Sequence, residues 1–342
     1  MPAVAHPSAQ PQSLPAAAAV LGSHPAIRRV LDIADRIAVT PATVLITGES
    51  GTGKSLLARH IHAASRRAGR FVEVACGSLA ESLLESELFG HVAGAFTGAT
   101  TDRDGKFLHA DRGTIFLDEI ATASPALQVK LLRVLQEMQF EPVGGSRTRA
   151  VDARVILATN EDLAALVAAG RFRADLFWRV NVITIEMPTL RERTSDIPLL
   201  AGTFLAAAAR KADRVVEGFT GAAEEALLRH AWPGNVRELQ HAVERAVFLG
   251  LGRTVDVADL PPHVVDGAAS PAALNSASPT ANGLPPMKRA LAVPERQLII
   301  DALDQSGWRR DVAARTLGIN RTTLYKKCKR LGMDLASLAP RG

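Results

Sequence analysis

Eight consecutive residues near the start of the sequence have the types and spacing that phosphate binding requires. The segment fits the pattern G-x-x-x-x-G-K-[ST], follows the apolar run 44–46 and opens a helical pattern that includes Leu57 and Ile61. Glycines let backbone N–H groups converge on phosphate oxygens, and a helix N-terminus adds a favourable dipole. The eight residues are Gly48, Glu49, Ser50, Gly51, Thr52, Gly53, Lys54 and Ser55. We expect Lys54 to hold the β- and γ-phosphates of a nucleoside triphosphate and Ser55 to ligate Mg²⁺.

Two adjacent carboxylates follow a later apolar run, 114–117. Ligands of open parallel α/β sheets bind at the carboxyl ends of strands, which is where this pair stands. We expect Asp118 to ligate Mg²⁺ and Glu119 to act as the base that orients the attacking water, because phosphoryl transfer needs mainly positioning and charge stabilisation. Thr159 and Asn160 end the next apolar run, where their side chains can sense the γ-phosphate.

These residues need a sheet to position them. Five short runs rich in Val and Ile alternate with helical or irregular segments, which is typical of a parallel sheet covered by helices on both faces. The runs are 44–46, 71–74, 114–117, 155–158 and 182–185. A helical pattern at 23–38 precedes them. Helical spacing along one covering helix is kept by Leu127, Leu131, Leu135 and Met138.

From Asp196 to about Leu260 the pattern is wholly helical, with a turn at 232–235. A stretch of Ala, Ser, Pro, Gly and Asn follows and is typical of a linker. The predicted units are a disordered Ala/Pro-rich tail (1–20), an α/β unit (21–195), an all-α unit (196–265), a flexible linker (266–286) and a C-terminal helical unit (287–342).

Charge is unevenly distributed over the 342 residues. From Lys288 onward there are twelve Lys or Arg and five Asp or Glu, a net charge of +7, whereas the rest of the chain carries −2. A basic end on a nearly neutral chain is typical of a nucleic-acid-binding unit. No apolar run is long enough to cross a bilayer, and the N-terminal stretch lacks the cationic leader of a secretion signal. The two cysteines, Cys76 and Cys328, are far apart in the sequence and lack the spacing of metal ligands. We expect a reduced, cytoplasmic protein without membrane contact.

A glycine-bracketed segment carries a single aromatic residue. Its glycines disfavour both helix and strand, so we expect a loop. The residues are Gly94, Ala95, Phe96, Thr97, Gly98 and Ala99. Together with the phosphate loop, the carboxylate pair and the basic C-terminal unit, this GAFTGA segment resembles the sigma-54-dependent transcriptional activators, the bacterial enhancer-binding proteins. The resemblance covers about residues 21–331 and implies an AAA+ ATPase with an all-α lid, whose loop contacts the sigma factor.

The C-terminal unit resembles a Fis-type helix-turn-helix. Gly318 supplies the turn between helical patterns at 311–317 and 321–331. The second helix is expected to meet base edges and phosphates of double-stranded DNA. Its expected contact residues are Arg321, Thr322, Thr323, Tyr325, Lys326, Lys327, Lys329 and Arg330. The preceding helix, with Leu298, Ile299, Ala302 and Leu303, is expected to form a dimer surface.

The resemblance also implies residues that act between subunits. Arg173 and Arg179 match the family's arginine fingers, which act on the neighbouring subunit's nucleotide, a role that suits the permanent charge of guanidinium. Arg237, in the WPGNVREL motif, matches the lid's second sensor. Fingers supplied in trans require a ring, so the resemblance implies a hexamer.

One position departs from the family pattern. The sequence has Ala75 before Cys76, where the family usually has Asn. In relatives that Asn is thought to hold the catalytic glutamate until the γ-phosphate or the sigma contact releases it, and Ala75 can make no such hydrogen bond. We expect that another group restrains Glu119 or that hydrolysis is less tightly gated; compensated neutral drift is the alternative.

The leading hypothesis is an ATP-driven transcription activator. It binds upstream, enhancer-like DNA, assembles a ring and remodels the closed complex of sigma-54 RNA polymerase into an open complex. The alternatives are a general AAA+ remodelling ATPase and a DNA-binding regulator that uses ATP only to oligomerise. Family members often carry a receiver or sensory domain before the ATPase, which this chain is expected to lack. Control is therefore expected from expression level, a separate regulatory protein or altered gating.

Overall fold

The computed structural model describes residues 20–78, 80–265, 299, 302–303, 306, 310–316 and 324. The chain divides into two compact units, Met1–Ala272 and Ala273–Gly342. The predicted linker and nearly all of the predicted tail lie outside the described residues, as do the eight residues expected to contact DNA.

Strands and helices alternate through the first unit. The strands are β1 (Val44–Thr47), β2 (Phe71–Ala75), β3 (Gly90–His91), β4 (Arg103–Asp104), β5 (Thr114–Asp118), β6 (Gln139–Phe140), β7 (Arg149–Ala150), β8 (Arg154–Thr159), β9 (Ile183–Glu186), β10 (Gly218–Phe219) and β11 (Thr254–Val255). The helices are α1 (Pro25–Ala38), α2 (Lys54–Ala64), α3 (Glu81–Phe89), α4 (Lys106–His109), α5 (Pro125–Glu137), α6 (Leu163–Ala168), α7 (Ala174–Val180), α8 (Ile197–Lys211), α9 (Gly221–Arg229), α10 (Asn235–Leu249) and α11 (Pro262–Val265), with α12 (Arg310–Thr316) in the second unit.

The predicted parallel sheet is confirmed, and its strand order is β2-β5-β8-β1-β9. All five predicted runs are strands of this sheet. The register sets Ala75 beside Asp118 and Thr47 beside Thr159. Because the strands are parallel, the segments that follow β2, β5, β8 and β1 emerge at the same edge. That edge carries the phosphate loop and the carboxylate pair.

The sheet is buried on both faces because alternate residues of each strand enter different cores. In β5, Ile115 and Leu117 pack into a core with residues of α3, α5 and α7, and Phe116 packs into a second core with residues of α1 and α2. Leu127 and Leu131 of α5 are buried in the first core, as their helical spacing predicts. The sheet is therefore a rigid platform for the residues at its edge.

Residues 190–265 form a helical subdomain with its own core around the fully buried Trp232. Helices α8, α9 and α10 make up most of it. The expectation of a wholly helical pattern was incomplete, since β10 and β11 form a short parallel pair in which Phe219 lies opposite Val255. Two residues per strand are too few to show a period of two in the sequence.

In the second unit, α12 overlaps the predicted helix at 311–317 and begins one residue before it. Ile299, Ala302 and Leu303 lie in a helical region and are buried, with exposures of 2%, 5% and 0%. These three side chains are covered within the chain itself, and the dimer surface expected on this helix stays a prediction. Among the described residues, no helix is both long and apolar enough to span a bilayer.

Helix α3, which leads toward the GAFTGA loop, begins without a side-chain cap. Ala80 has the extended conformation of an N-cap residue but no side-chain acceptor, whereas Ser124 caps α5 by accepting from Leu127 N at 3.2 Å. We expect Ala80→Ser to raise the free energy of unfolding by about 1 kcal/mol and Ser124→Ala to lower it by a similar amount. Urea unfolding of the two variants checks this, and a loss of stability in Ala80→Ser would contradict it.

Candidate active site

At three positions the phosphate loop has a positive φ, which strongly favours glycine. Gly48, Gly51 and Gly53 have φ values of 134°, 78° and 105°. A Cβ at Gly51 would lie 2.3 Å from the carbonyl oxygen of Gly234, so the loop packs directly against the lid. Helix α2 begins at Lys54, and its N-terminus faces the loop as anion binding requires.

A cavity of about 200 Å³ brings together residues that are far apart in the sequence. Its lining comprises Ser50, Gly51, Gly53, Lys54, Ser55, Leu56, Asp118, Glu119, Asn160, Val236, Arg237 and Gln240. The predicted phosphate loop, carboxylate pair and second sensor therefore meet in one place. Arg237 reaches across from the lid and donates from Nη1 to Ser50 Oγ at 3.0 Å.

Lys54 is almost buried, with 9% exposure. Its ammonium group donates to the carbonyl oxygens of Gly48 and Glu49 at 2.8 and 3.0 Å. Desolvation lowers the pKa of Lys54, the negative charge of Asp118 opposes that shift, and Arg237 and Glu119 act with smaller and opposite effects. The carboxylate pair therefore favours the charged ammonium form that phosphate binding uses.

Asp118 and Glu119 stand where β5 ends. Asp118 Oδ1 accepts a hydrogen bond from Glu119 N at 3.0 Å. Glu119 has a φ of 56°, in the left-handed region that non-glycine residues seldom occupy. Thr122 holds this turn, because its backbone N–H and its hydroxyl donate to the Glu119 carbonyl at 3.0 and 2.8 Å. The strained backbone presents an exposed glutamate side chain at the cavity.

The two residues predicted to sense the γ-phosphate have different positions. Asn160 lines the cavity, whereas Thr159 is fully buried. The Thr159 hydroxyl accepts from Glu161 N at 3.0 Å and donates to Glu161 O at 3.2 Å. The expectation for Thr159 is therefore corrected: its side chain closes a local turn at the end of β8. Asn160 alone is available as a sensor at this strand end.

Sequence reasoning missed a polar bridge between the phosphate loop and the lid. Glu49 pairs with Arg191 through both carboxylate oxygens, one of them at 2.9 Å, and also accepts from Asn235 Nδ2 at 3.0 Å. The hydrogen bond from Arg191 lowers the pKa of Glu49 and outweighs the opposing desolvation. Asn235 is fully buried with a φ of 52°, a conformation that Asn adopts more readily than most residues. The Asn in WPGN was a usable signal, but nothing in the sequence around Arg191 marked it.

The two predicted arginine fingers lie away from this cavity. Arg173 is exposed at the start of α7 and pairs with Asp175 at 2.7 Å. Arg179 is exposed on the same helix, and its Nε donates to Leu135 O at 2.9 Å. Neither arginine lines the cavity of its own chain. Their role on a neighbouring subunit stays a prediction.

The GAFTGA segment is a surface loop rather than part of the core. Gly94 N donates to Ala99 O at 2.8 Å, and a Cβ at Gly94 or Gly98 would have no neighbour within 4 Å among the described residues. Phe96 is 39% exposed and meets His91 edge-on with ring centroids 5.0 Å apart. The side chain is thus presented at the surface by a loop with room on its outer side.

A second loop, between β6 and β7, supports the GAFTGA segment. Val92 N donates to Val143 O at 3.1 Å, and Val143 N donates to Gly90 O at 2.9 Å. A Cβ at Gly144 would lie 2.6 Å from Ala95 Cβ, so the two loops are in close contact.

The predicted Mg²⁺ ligands, Ser55 and Asp118, line the same cavity. They offer oxygen donors only, which suits a hard cation that takes few protein ligands and completes its shell with phosphates and water. In the part of the chain that the structure describes, no cluster of three or more His, Cys, Asp or Glu could hold a metal by itself. The donor set fits Mg²⁺ in the company of a bound triphosphate.

Cys76 lies behind the carboxylate pair with 3% exposure. Burial, together with the charges of Asp118 and Glu119, raises the pKa of its thiol to about 12. In a Cys328→Ser variant we expect iodoacetamide at pH 8 to alkylate Cys76 about a thousandfold more slowly than a thiol of ordinary pKa, since so little thiolate forms. Mass spectrometry with and without urea checks this, and rapid labelling of the native protein would contradict it.

Three family descriptions match consecutive parts of the chain. A sigma-54 interaction domain matches residues 20–186, an AAA+ ATPase lid domain matches 191–277, and the Fis family of bacterial regulatory proteins matches 290–331. These matches cover the α/β unit, the lid and the C-terminal unit in the order predicted.

Several regulatory proteins are similar over nearly the whole chain. The transcriptional regulatory protein ZraR of Salmonella typhimurium is 46% identical, over 96% of this chain and 73% of the relative. The regulatory protein AtoC of Escherichia coli is 44% identical, over 93% and 69%. A crystal structure of NtrX from Brucella abortus in complex with ATP superimposes with a TM-score of 0.66 and 33% identity, over 92% of this chain and 69% of that one.

Proposed function

Because the chain belongs to the sigma-54-dependent transcriptional activators, AAA+ ATPases with a Fis-type DNA-binding unit, we propose that it uses ATP hydrolysis to open promoters. In this proposal it binds upstream, enhancer-like DNA through residues 287–342. Its ATPase units form a ring, and hydrolysis remodels the closed complex of sigma-54 RNA polymerase in the cytoplasm. The observation that best supports this proposal is that Phe96, which is exposed on the GAFTGA loop, belongs to the same α/β unit as the residues proposed to hydrolyse ATP.

The residues of the cavity have complementary roles. Backbone N–H groups of the phosphate loop and the Lys54 ammonium bind the phosphates, and Ser55 and Asp118 hold Mg²⁺, which when bound shields phosphate charge. Glu119 orients the attacking water and accepts its proton. Asn160 and Arg237 sense the γ-phosphate from the sheet and from the lid.

The arginine fingers explain why a ring is proposed. Arg173 and Arg179 are exposed and outside their own cavity, so a neighbouring subunit's nucleotide is the target that gives them a catalytic role. A guanidinium supplied in trans stabilises charge as the phosphoryl group transfers. Hydrolysis then depends on assembly, which couples the oligomeric state to activity.

Reconstituted transcription tests the proposal directly. The template is a supercoiled plasmid with a sigma-54 promoter and the upstream region bound by the purified full chain. We expect open complexes with the sigma-54 holoenzyme and ATP, and none when ADP or a non-hydrolysable analogue replaces ATP. Equal activation of a holoenzyme carrying the housekeeping sigma factor would contradict the proposal.

A DNA-binding regulator that uses ATP only to oligomerise is the second candidate. It differs from the first candidate in needing no hydrolysis, and the presence of Glu119 at the cavity argues against it. This candidate predicts full activation with the non-hydrolysable analogue, so the same experiment separates the two.

A further inference from the structure

Arg193 carries a buried positive charge beside the phosphate loop, outside the nucleotide cavity. The residue is 2% exposed, and its Nη2 donates to Thr52 O at 3.1 Å. Its Nε is buried without a hydrogen-bond partner among the described residues. Burial lowers the pKa of Arg193, yet a guanidinium stays protonated in proteins. A buried charge with so few partners is weak support for the fold, so its contribution has to be sought at the phosphate loop.

The nearby carboxylate of Asp196 does not take up this charge in an ion pair. Asp196 favours the charged form of Arg193, but its Oδ1 accepts from Ser23 N and His24 N at 2.7 and 3.0 Å. Its Oδ2 is buried without a partner in the described part of the chain. Asp196 also stands at the N-terminus of α8, where the helix dipole stabilises a negative charge. The hydrogen bond to Thr52 is therefore the direct contact through which the Arg193 charge acts.

This contact reaches the cavity through a single peptide group. The Thr52 carbonyl and the Gly53 N–H belong to the same planar trans peptide and point in opposite directions. The hydroxyl of Thr52 donates to Glu49 O at 2.8 Å, which fixes the peptide further. Gly53 lines the cavity, and its N–H donates to no other described residue. Because linked hydrogen bonds polarise one another, a cation on the carbonyl makes this N–H a stronger donor.

We propose that Arg193 is a positioning residue that strengthens phosphate binding from behind the loop, by holding and polarising the peptide between Thr52 and Gly53. Arg193 does not line the cavity, in contrast to Lys54, whose ammonium group acts within it. The expected effect is specific for the phosphates that the loop cradles. This inference rests on the proposed binding of a nucleoside triphosphate in the cavity.

Three substitutions at position 193 separate the charge from the hydrogen bond. Arg193→Met removes both, Arg193→Gln keeps a donor without the charge, and Arg193→Lys keeps the charge. We expect the Kd for ATP to rise about tenfold in the Met and Gln variants and no more than about threefold in the Lys variant. The Kd for AMP, which lacks the β- and γ-phosphates, should stay within about twofold in all three. Competition with a fluorescent nucleotide on the full chain measures these values.

Arg154→Met is the matched control. Arg154 is also 2% exposed, and its Nη2 donates to Ile37 O at 2.8 Å in the last turn of α1. Its Nε too is buried without a described partner. Arg154 therefore matches Arg193 in burial and in bonding to a backbone carbonyl, but it does not contact the phosphate loop. The Kd for ATP should stay within about twofold of the parent.

The possible failures have different signatures. An unchanged Kd for ATP in Arg193→Met, or ATP binding as tight in Arg193→Gln as in Arg193→Lys, would overturn the proposal. Equal losses of ATP and AMP affinity would also overturn it, because they indicate a general distortion of the site. If thermal melting shows that the Met variant does not fold, the comparison of the Gln and Lys variants decides. Failure of the parent chain to bind ATP would instead contradict the proposed function.

Discussion

Glu119→Gln is expected to lower the rate of ATP hydrolysis by about a hundredfold to ten-thousandfold, because an amide cannot accept the proton of the attacking water. ATP affinity should stay within about twofold of the parent, since the phosphate-binding residues are untouched. The fold should also be retained, because the Glu119 side chain is exposed and Thr122 bonds its backbone carbonyl. Phosphate release under saturating ATP and a fluorescent nucleotide titration measure the two quantities.

Transcription by the same variant decides between the two candidate functions. An activator that needs hydrolysis loses open-complex formation together with ATPase activity. A regulator that needs ATP only to assemble keeps activating, and that outcome would contradict the proposed function. Glu225→Gln is a suitable control, because Glu225 is 77% exposed on α9 and is not part of the cavity lining. It should be indistinguishable from the parent chain.

Phe96→Ala is expected to abolish transcription activation while leaving ATP hydrolysis nearly unchanged. Phe96 is 39% exposed, and among the described residues the ring that it stacks against edge-on is that of His91, so its removal should cost no more than about 1 kcal/mol of stability. We expect ATP hydrolysis within about twofold of the parent and activation of sigma-54 transcription reduced by about a hundredfold or more, because truncation of a buried aromatic contact at an interface typically costs several kcal/mol. Parallel assays of phosphate release and open-complex formation measure the difference.

A buried aromatic residue nearby provides the contrast. Phe140 is 3% exposed and packs against Phe89 and Phe107. Phe140→Ala should destabilise the α/β unit by about 3–5 kcal/mol and lower both activities together. If Phe96→Ala behaved in the same way, Phe96 would be a structural residue, and the proposal that the GAFTGA loop contacts the sigma factor through Phe96 would be contradicted.

The sheet could be predicted because its strands are short, branched apolar runs that are buried on both faces. The glycine positions of the phosphate loop could also be predicted, because the loop needs positive φ values that strongly favour glycine. The order of the strands is different, because apolar runs do not show which strand lies beside which. It is this order that sets β1, which leads into the phosphate loop, beside β8, which leads to Asn160.

The candidate site was less predictable where the local backbone conformation decides whether a side chain faces the cavity or the interior. Thr159 and Asn160 are adjacent at a strand end, so their side chains point in different directions, and only the structure shows that Thr159 turns inward. Arg191 carries no motif, because its partner Glu49 lies 142 positions earlier in the chain. The residues expected to contact DNA stay predictions.

The hydrogen bonds of Asn235 connect movements of the lid to movements of the phosphate loop. Its amide donates to Ser50 O at 3.1 Å and to Glu49 at 3.0 Å, while its Oδ1 accepts from Leu190 N at 2.8 Å. The buried side chain of Asn235 thus joins the phosphate loop both to the lid and to the segment that leads into the lid. Opening of the lid breaks the hydrogen bonds that join Asn235 to the phosphate loop. We therefore expect lid opening to accompany product release, and the two subdomains to melt in one cooperative transition.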